Sequence, residues 1–299
     1  MSPRSYICLL GILFICHTAY DAAAKNRKIS LRKAIATRLV NVRAKARGGT
    51  GEKALILDVT SNSRDTLSIN IEPALMFKPD DSTRQPLVTQ GDEILVLNAC
   101  EEKTIALDAY CGNSGAYCPK RGGRYTFSRQ LDTTLVSVLR YAKSNDMPIC
   151  LKQGAVWTFT NEHPLRSVYS PQYPVASENL IKYIAKKRKM DVPTYYSGYA
   201  TDTSGQRPMV RRGEETLYVN MNWTAQQGSK KIYVSVYRAD GTLHKRVENN
   251  IVSDKYGSAV VVRFDTRRDQ AGKYIIRLHD DMNTTLQEKT VMLSMEPGM

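Results

Sequence analysis

Apolar and polar residues alternate along the first part of the chain, in short segments separated by turn-forming residues. The alternating segments are 39–44, 54–59, 67–71, 87–89, 93–97 and 103–109. Alternation at period two is typical of strands that bury one face. Turns at 48–51 and 61–65 join the first three segments, which predicts an antiparallel meander. Ser30 stands as a potential N-cap before residues 31–36, so a short helix or an extended lead-in is expected there.

Beyond residue 130 the apolar residues recur at three- and four-residue steps, which is typical of amphipathic helices. The residues of the first predicted helix are Leu131, Leu135, Val138, Leu139 and Ala142. A second helix is predicted from Leu151 to Phe159, and Pro148 fits before its first turn. A third is predicted around Leu180, Ile181 and Ile184, with Ser177 as its N-cap. These helices form an insertion between strand-rich parts.

Strand signals resume in the last part of the chain, at 217–222, 231–237, 260–264 and 273–278, with a tight turn at 239–242. Short strands at this spacing favour an immunoglobulin-like β-sandwich. Residues 193–213 contain prolines and glycines without periodicity and are predicted to be a linker. The predicted fold class is therefore mainly β with inserted helices (α+β). A β-sandwich with a helical insertion at 25–192 would precede an immunoglobulin-like sandwich at 214–299.

The N-terminus has the features of a secretory signal at 1–24. Arg4 precedes an apolar run from Tyr6 to Ala19, and the small residues Ala22-Ala23-Ala24 provide a cleavage site. The run is shorter than the roughly 20 apolar residues that a membrane span needs. Cys16 suggests a lipoprotein as an alternative, which the bulky Ile15 before it disfavours. Cleavage near Ala24 predicts a secreted, periplasmic or cell-surface protein with no transmembrane segment in the mature chain.

The net charge of +14 does not indicate a nucleic-acid partner. Basic residues are spread along the chain, with the densest run at 186–189, and no nucleic-acid-binding motif accompanies them. Solubility and adhesion to an anionic envelope explain the charge equally well. The expected partner is a protein or a polysaccharide at the cell surface.

Four of the six cysteines lie beyond the predicted signal: Cys100, Cys111, Cys118 and Cys150. An even number in an oxidising compartment usually forms disulfides, so these four are candidates for two bridges with three possible connectivities. Cys111 and Cys118 flank a Gly-containing turn and would close a small loop.

Signatures of enzymes are scarce. His163, His244 and His279 are the histidines beyond the signal, and none of them has metal-ligand spacing to another. There is no Gly-rich phosphate loop and no pair of acidic residues with the arrangement of a general acid and base. We therefore expect no metal, no cofactor and no catalytic residues for ordinary turnover.

One pair of short motifs does suggest chemistry. Tyr110 and Cys111 end a predicted strand, and Gln153 lies two residues before Ala155-Val156-Trp157 on a predicted helix. Over about residues 50–165 this pattern resembles bacterial thioester-domain surface proteins, and also uncharacterised exported envelope proteins that share the core. Two positions differ from that family. Gly112 stands where the family favours a larger apolar residue, and Lys152 stands before the glutamine where the family usually has a hydroxyl residue.

The resemblance implies that the Cys111 thiol attacks the Gln153 amide, expels ammonia and leaves an internal thioester that later acylates an amine or a hydroxyl. Trp157 would shield the bond and Tyr110 would help to form the pocket. If the fold holds the thiol nucleophile and the amide in fixed positions, it brings them close enough to react. Cys150 and Gln153 form a competing pair, because their spacing is that of complement-type thioesters.

Three functional hypotheses follow. The first is an exported, non-enzymatic binding or surface-adhesion protein. The second is a covalent adhesin that uses a Cys111–Gln153 thioester once per molecule. The third is a cysteine hydrolase with Cys111 or Cys150 as nucleophile and His163 as base.

Overall fold

A computed structural model describes residues 27–201, 210–223, 232–248 and 251–294. The predicted signal at 1–24 lies outside the described residues, and so does the C-terminal pentapeptide 295–299. Strands account for 47% and helices for 21% of the structure, which confirms that the protein is mainly β. Within the described ranges, no helix is both long and apolar enough to cross a membrane.

A three-stranded sheet and one short helix begin the described chain. Strand β1 (Arg27–Ser30) leads directly into helix α1 (Leu31–Ala36), whose Lys33 backbone N–H donates to the Ser30 hydroxyl. The sheet has the order β1-β4-β7, with β4 at Leu67–Ile71 and β7 at Glu93–Leu97. The short helix capped by Ser30 is therefore confirmed.

Six further strands close into a barrel with the order β2-β3-β8-β6-β5-β9. Their bounds are β2 Val40–Ala46, β3 Gly51–Ser61, β5 Leu75–Pro79, β6 Leu87–Thr89, β8 Glu102–Cys111 and β9 Arg124–Gln130. The barrel replaces the predicted first β-sandwich, because β9 pairs with both β2 and β5 and so joins the two edges of the sheet. Apolar side chains from the barrel and from the three-stranded sheet form one continuous core.

Three α-helices follow the barrel, as predicted: α2 (Thr133–Ser144), α3 (Ile149–Thr160) and α4 (Pro174–Arg188), with a short 3-10 helix at Leu165–Val168 before α4. Ser177 is not the N-cap of α4, because the helix begins three residues earlier. The Ser177 hydroxyl instead donates to the carbonyl oxygen of Tyr173 (2.6 Å). Its predicted position was wrong because Pro174 itself starts the helix, as proline readily does.

Two four-stranded antiparallel sheets make up the C-terminal part. One has the order β10-β11-β15-β14 and the other β13-β12-β16-β17. The strands are β10 Tyr196–Thr201, β11 Val210–Trp223, β12 Ile232–Arg238, β13 Leu243–Glu248, β14 Ile251–Asp254, β15 Gly257–Asp265, β16 Gly272–Asp280 and β17 Thr285–Leu293. Apolar residues of both sheets share one core, so the sheets pack face to face.

The segment 193–213 contains strand structure where a linker was predicted. Strand β10 lies inside it and pairs with β11, and Tyr196 is buried. Tyr196 stacks on Tyr169, which lies just after the 3-10 helix, with ring centroids 4.6 Å apart. Tyrosines in this segment therefore join the helices to the sheets, an arrangement that periodicity alone does not reveal. Residues 202–209 of the segment lie outside the described ranges.

The turn between β14 and β15 anchors the C-terminal sheets to the helices. Asp254 Oδ2 accepts hydrogen bonds from the backbone N–H groups of Val175 (3.1 Å) and Ala176 (3.0 Å), in the first turn of α4. Lys255 forms an ion pair with Asp146 (2.7 Å), which follows α2. A carboxylate at a helix N-terminus satisfies N–H groups that have no partner within the helix.

Candidate functional site

Cys111 is the last residue of β8 and is fully buried. Its neighbour Gly112 continues the chain through a tight space, where an added Cβ would lie 3.2 Å from side-chain atoms of both Pro86 and Val88. The Gly112 N–H also donates to the carbonyl oxygen of Pro86 (2.8 Å). The close packing leaves little room for a larger residue after this cysteine.

Gln153 lies on α3 and is only 5% exposed. The next residue, Gly154, allows the 3-10 helix to pack closely on α3, since an added Cβ would lie 3.2 Å from Val168 Cα. Helix α3 is apolar on most of its surface and is therefore held between the barrel and the other helices. This position directs the Gln153 amide towards the end of β8.

The two residues meet through a pair of hydrogen bonds. The Cys111 backbone N–H donates to Gln153 Oε1 (2.9 Å), and Gln153 Nε2 donates to the Cys111 carbonyl oxygen (2.8 Å). The backbone donor and acceptor of Cys111 fix which end of the amide carries the oxygen. The structure therefore places the two predicted thioester candidates side by side, although 42 positions separate them in the chain.

Thr50 completes the contact and was not predicted from the sequence. Its hydroxyl donates to Gln153 Oε1 (2.6 Å), and the Cys111 backbone N–H approaches the same hydroxyl at 3.3 Å. Thr50 lies in the turn before β3, between Gly49 and Gly51, which have φ angles of +75° and +99°. The Gly-rich turn was a signal for chain reversal only, and nothing in the sequence connects it to α3.

The Cys111 thiol lies in apolar surroundings. Trp157 and Cys118 pack against it, and Trp157 is 7% exposed. Burial raises the pKa of the Cys111 thiol to about 12, the nearby Cys118 adds to this rise, and a hydrogen bond from Thr50 works against it. The neutral thiol is therefore the stable form at physiological pH.

Tyr110 does not line the contact between Cys111 and Gln153, contrary to prediction. Successive side chains of a strand point to opposite faces, so Tyr110 packs against α2 and α3 on the other side of β8. Its hydroxyl donates to Gln90 Oε1 (2.7 Å). Tyr110 thus supports the strand that carries Cys111.

The loop after Cys111 is tied to the end of α3. Ser114 Oγ and His163 Nε2 are hydrogen-bonded (2.8 Å), and the Ser114 backbone N–H donates to Asn161 Oδ1 (3.2 Å). The His163 ring lies 5.5 Å from the Trp157 ring, measured between centroids. Burial lowers the pKa of His163, so its imidazole is neutral near pH 7.

A cleft of about 610 Å³ has Trp157 in its lining. Its walls come from the helices and from the C-terminal sheets, and include Cys150, Trp157, His163, Tyr218, Arg263 and Arg267. The buried indole N–H of Trp157 has no hydrogen-bond partner among the described residues. Trp157 therefore contacts Cys111 and also forms part of the cleft wall.

The structure does not contain the two disulfides that the four cysteines predicted, since Cys100, Cys111 and Cys150 are free thiols. Cys100 precedes β8 and Cys111 ends it, which separates them by roughly 30 Å and rules out a bridge between them. Cys150 is exposed in the first turn of α3, and Gln153 bonds to Cys111 rather than to Cys150. Within the described ranges, no group of three or more potential ligands could hold a metal ion.

Comparisons with known proteins give no relative: no protein-family model, no curated protein and no solved structure matches this chain. The functional assignment therefore depends on the geometry of the site.

Proposed function

We propose that the protein is an exported covalent adhesin with an internal thioester between Cys111 and Gln153. The observation that carries the proposal is the pair of hydrogen bonds, 2.9 and 2.8 Å long, that hold the Gln153 amide against Cys111. An amide is a poor electrophile, so the reaction needs proximity, and an amide held on the backbone of the cysteine itself supports it. The resemblance to bacterial thioester domains supports the same pair.

The reaction requires no external oxidant or cofactor. Cys111 Sγ attacks Gln153 Cδ, the Cδ–Nε2 bond breaks, and the thiol proton leaves with the nitrogen as ammonia. An amine or hydroxyl of the target then attacks Cδ, the Sγ–Cδ bond breaks, and the Cys111 thiol reforms. The product is an amide or an ester that joins the adhesin to its target. Each molecule reacts once, so the protein is not a turnover enzyme in this proposal.

The acceptor group would approach through the cleft beside Trp157. Trp157 lines the cleft and also packs against Cys111, so a shift of this side chain would connect the cleft with the buried thiol. A cleft of about 610 Å³ is in the usual range for ligand sites, which often lie between two structural units. The expected target is a protein or a polysaccharide at a cell surface.

The C-terminal sheets would serve as an immunoglobulin-like spacer or docking module. Their strand orders, β10-β11-β15-β14 and β13-β12-β16-β17, correspond to the A-B-E-D and C′-C-F-G orders of immunoglobulin-like sandwiches. Because Asp254 and Lys255 bond to the helices, such a module would hold a fixed position beside the cleft. The signal-like N-terminus and the net charge of +14 support export and adhesion to an anionic surface.

Non-covalent binding in the same cleft is the second candidate function, favoured by the cleft volume and its polar lining. The cysteine-hydrolase hypothesis has less support. A hydrolase nucleophile must become a thiolate in every turnover, whereas the thioester forms only once, so the raised pKa of the Cys111 thiol, about 12, is the greater obstacle for a hydrolase. His163 Nε2 also forms a hydrogen bond with Ser114 Oγ. We do not propose it.

Paired substitutions test the covalent function. Cys111→Ala and Gln153→Ala should abolish incorporation of a fluorescent primary amine to the same extent, because each removes one partner of the bond. Cys150→Ala is the matched control and should retain incorporation. Loss of incorporation in Cys150→Ala but not in Cys111→Ala would assign the reactive thiol to Cys150 and contradict the proposal.

A further inference from the structure

Thr50 and the Cys111 backbone N–H converge on a single atom. The Thr50 hydroxyl lies 2.6 Å and the Cys111 nitrogen 2.9 Å from Gln153 Oε1. Both groups donate, and the oxygen has two lone pairs to receive them. The amide nitrogen instead faces a carbonyl oxygen, so both donors lie at the carbonyl end of Gln153.

Two donors at one carbonyl oxygen are the arrangement that stabilises negative charge in acyl transfer. When a nucleophile adds to Gln153 Cδ, the negative charge of the tetrahedral intermediate develops on Oε1. Donors already in place need no reorganisation at that moment, and the buried position of Gln153 strengthens their effect. We propose that Thr50 is a catalytic residue that stabilises the oxyanion at Gln153 Oε1, both when the thioester forms and when an acceptor consumes it.

The turn that carries Thr50 is held against α3. A Cβ at Gly51 would lie 2.9 Å from Ile149 Cγ2, so glycine allows the turn to approach the first residue of α3. The positive φ of Gly51 is accessible to glycine without strain. The turn and the helix are thus fitted to each other, and Thr50 reaches Gln153 across this contact.

The inference rests on the proposed thioester, and its test separates the two. Thr50→Val removes the hydroxyl and keeps the branched shape, Thr50→Ser keeps the hydroxyl, and Thr50→Ala provides a smaller replacement if valine does not fold. Thr104→Val on β8 is a control for loss of a threonine hydroxyl remote from Cys111. Intact mass records the fraction of each protein that has lost ammonia, and methylamine incorporation gives the rate of thioester opening.

Removal of one oxyanion donor slows acyl transfer by about 100-fold or more. Thr50→Val and Thr50→Ala should therefore lose ammonia and incorporate methylamine roughly 100-fold more slowly than wild type, whereas Thr50→Ser and Thr104→Val stay close to it. Labelling with ¹³C-glutamine identifies the infrared band of the thioester carbonyl. This band should lie at higher frequency in the variants that lack the Thr50 hydroxyl, because the carbonyl oxygen has lost a hydrogen bond. Wild-type rates in folded Thr50→Val or Thr50→Ala would overturn the role of Thr50 alone. Wild-type protein that never loses ammonia would overturn the thioester itself.

Discussion

The side-chain amide of Gln153 pairs with the backbone of Cys111 as a neighbouring strand would, with its oxygen on the Cys111 N–H and its nitrogen on the Cys111 carbonyl oxygen. This pairing satisfies the backbone of β8 at the point where the strand ends. It also holds the Gln153 amide against the backbone of the residue that carries the buried thiol. One contact between a helix and a strand end therefore has both a structural and a chemical consequence.

The turn at Thr50 provides a structural test of the site. Gly51→Ala should lower the free energy of unfolding by about 1–3 kcal/mol, because the new Cβ meets Ile149 at 2.9 Å and the backbone is strained at positive φ. Gly49→Ala has the same kind of strain but no atom within 4 Å of its Cβ. Chemical unfolding of both variants measures the difference. Equal losses would show that the contact with Ile149 does not constrain the turn.

The Gly51 contact also predicts a chemical effect. A displaced turn moves the Thr50 hydroxyl from Gln153, so Gly51→Ala should form less thioester than Gly49→Ala at the same temperature. The fraction of protein that has lost ammonia gives the measurement. If Gly51→Ala forms as much as Gly49→Ala, the position of the turn is not critical.

Access through the cleft can be tested with the cysteines of the chain. Cys150 lines the cleft, whereas Cys100 precedes β8, and both residues are exposed. In Cys100→Ser protein, a polymer-linked maleimide on Cys150 should slow incorporation of a bulky primary amine at least tenfold. The same label on Cys100 in Cys150→Ser protein should have little effect. Equal rates for the two labelled proteins would place the acceptor route elsewhere.

The Cys111 thiol that methylamine releases should alkylate slowly. Its pKa of about 12 lies above the ordinary value, so the thiolate is scarce at pH 8 and increases about tenfold with each pH unit up to that pKa. Iodoacetamide should therefore modify Cys111 on the order of a thousandfold more slowly than exposed Cys100 at pH 8. Peptide mapping over a pH series measures both rates. Similar rates at pH 8 would contradict the buried neutral thiol and favour a hydrolase-type cysteine.

Asp254 should contribute to the stability of the whole chain. Asp254→Ala leaves the first N–H groups of α4 without their acceptor and should cost about 1–2 kcal/mol. Asp240→Ala removes a similar carboxylate that accepts only from a local turn, at Thr242, and serves as the control. Thermal unfolding compares the two. A loss no greater than that of Asp240→Ala would mean that the sheets and helices are only loosely joined.

Much of the fold could be predicted from local patterns. The alternation in β2, β3 and β4 and the three- and four-residue spacing in α2 to α4 correctly predicted the element types. Strand β5 was missed because Leu75, Met76 and Phe77 form a continuous apolar run without alternation. Strand β9 was missed because most of its side chains are at least partly exposed. These two strands close the barrel, so their omission led to the prediction of a sandwich.

The site could be predicted in part. Cys111 and Gln153 were found because each lies in a short motif with a chemical rationale. Thr50 was not found, because its hydrogen bond to Gln153 spans 103 positions and leaves no local pattern. Tyr110 was expected to help form the pocket, but successive strand residues point to opposite faces, so its side chain lies on the other face of β8 from that of Cys111. The positions of Thr50 and Tyr110 relative to the Cys111–Gln153 contact thus depend on pairing between distant segments, which the short motifs do not contain.

The most direct test of the thioester is the intact mass of the protein, purified without reductant, before and after methylamine. We expect a protein lighter by one ammonia than its sequence requires, which then gains one methylamine and exposes one new thiol at Cys111. Two outcomes would contradict the thioester. The mass could correspond to unmodified cysteines and an unmodified Gln153, or to two disulfides, and in either case methylamine would leave it unchanged.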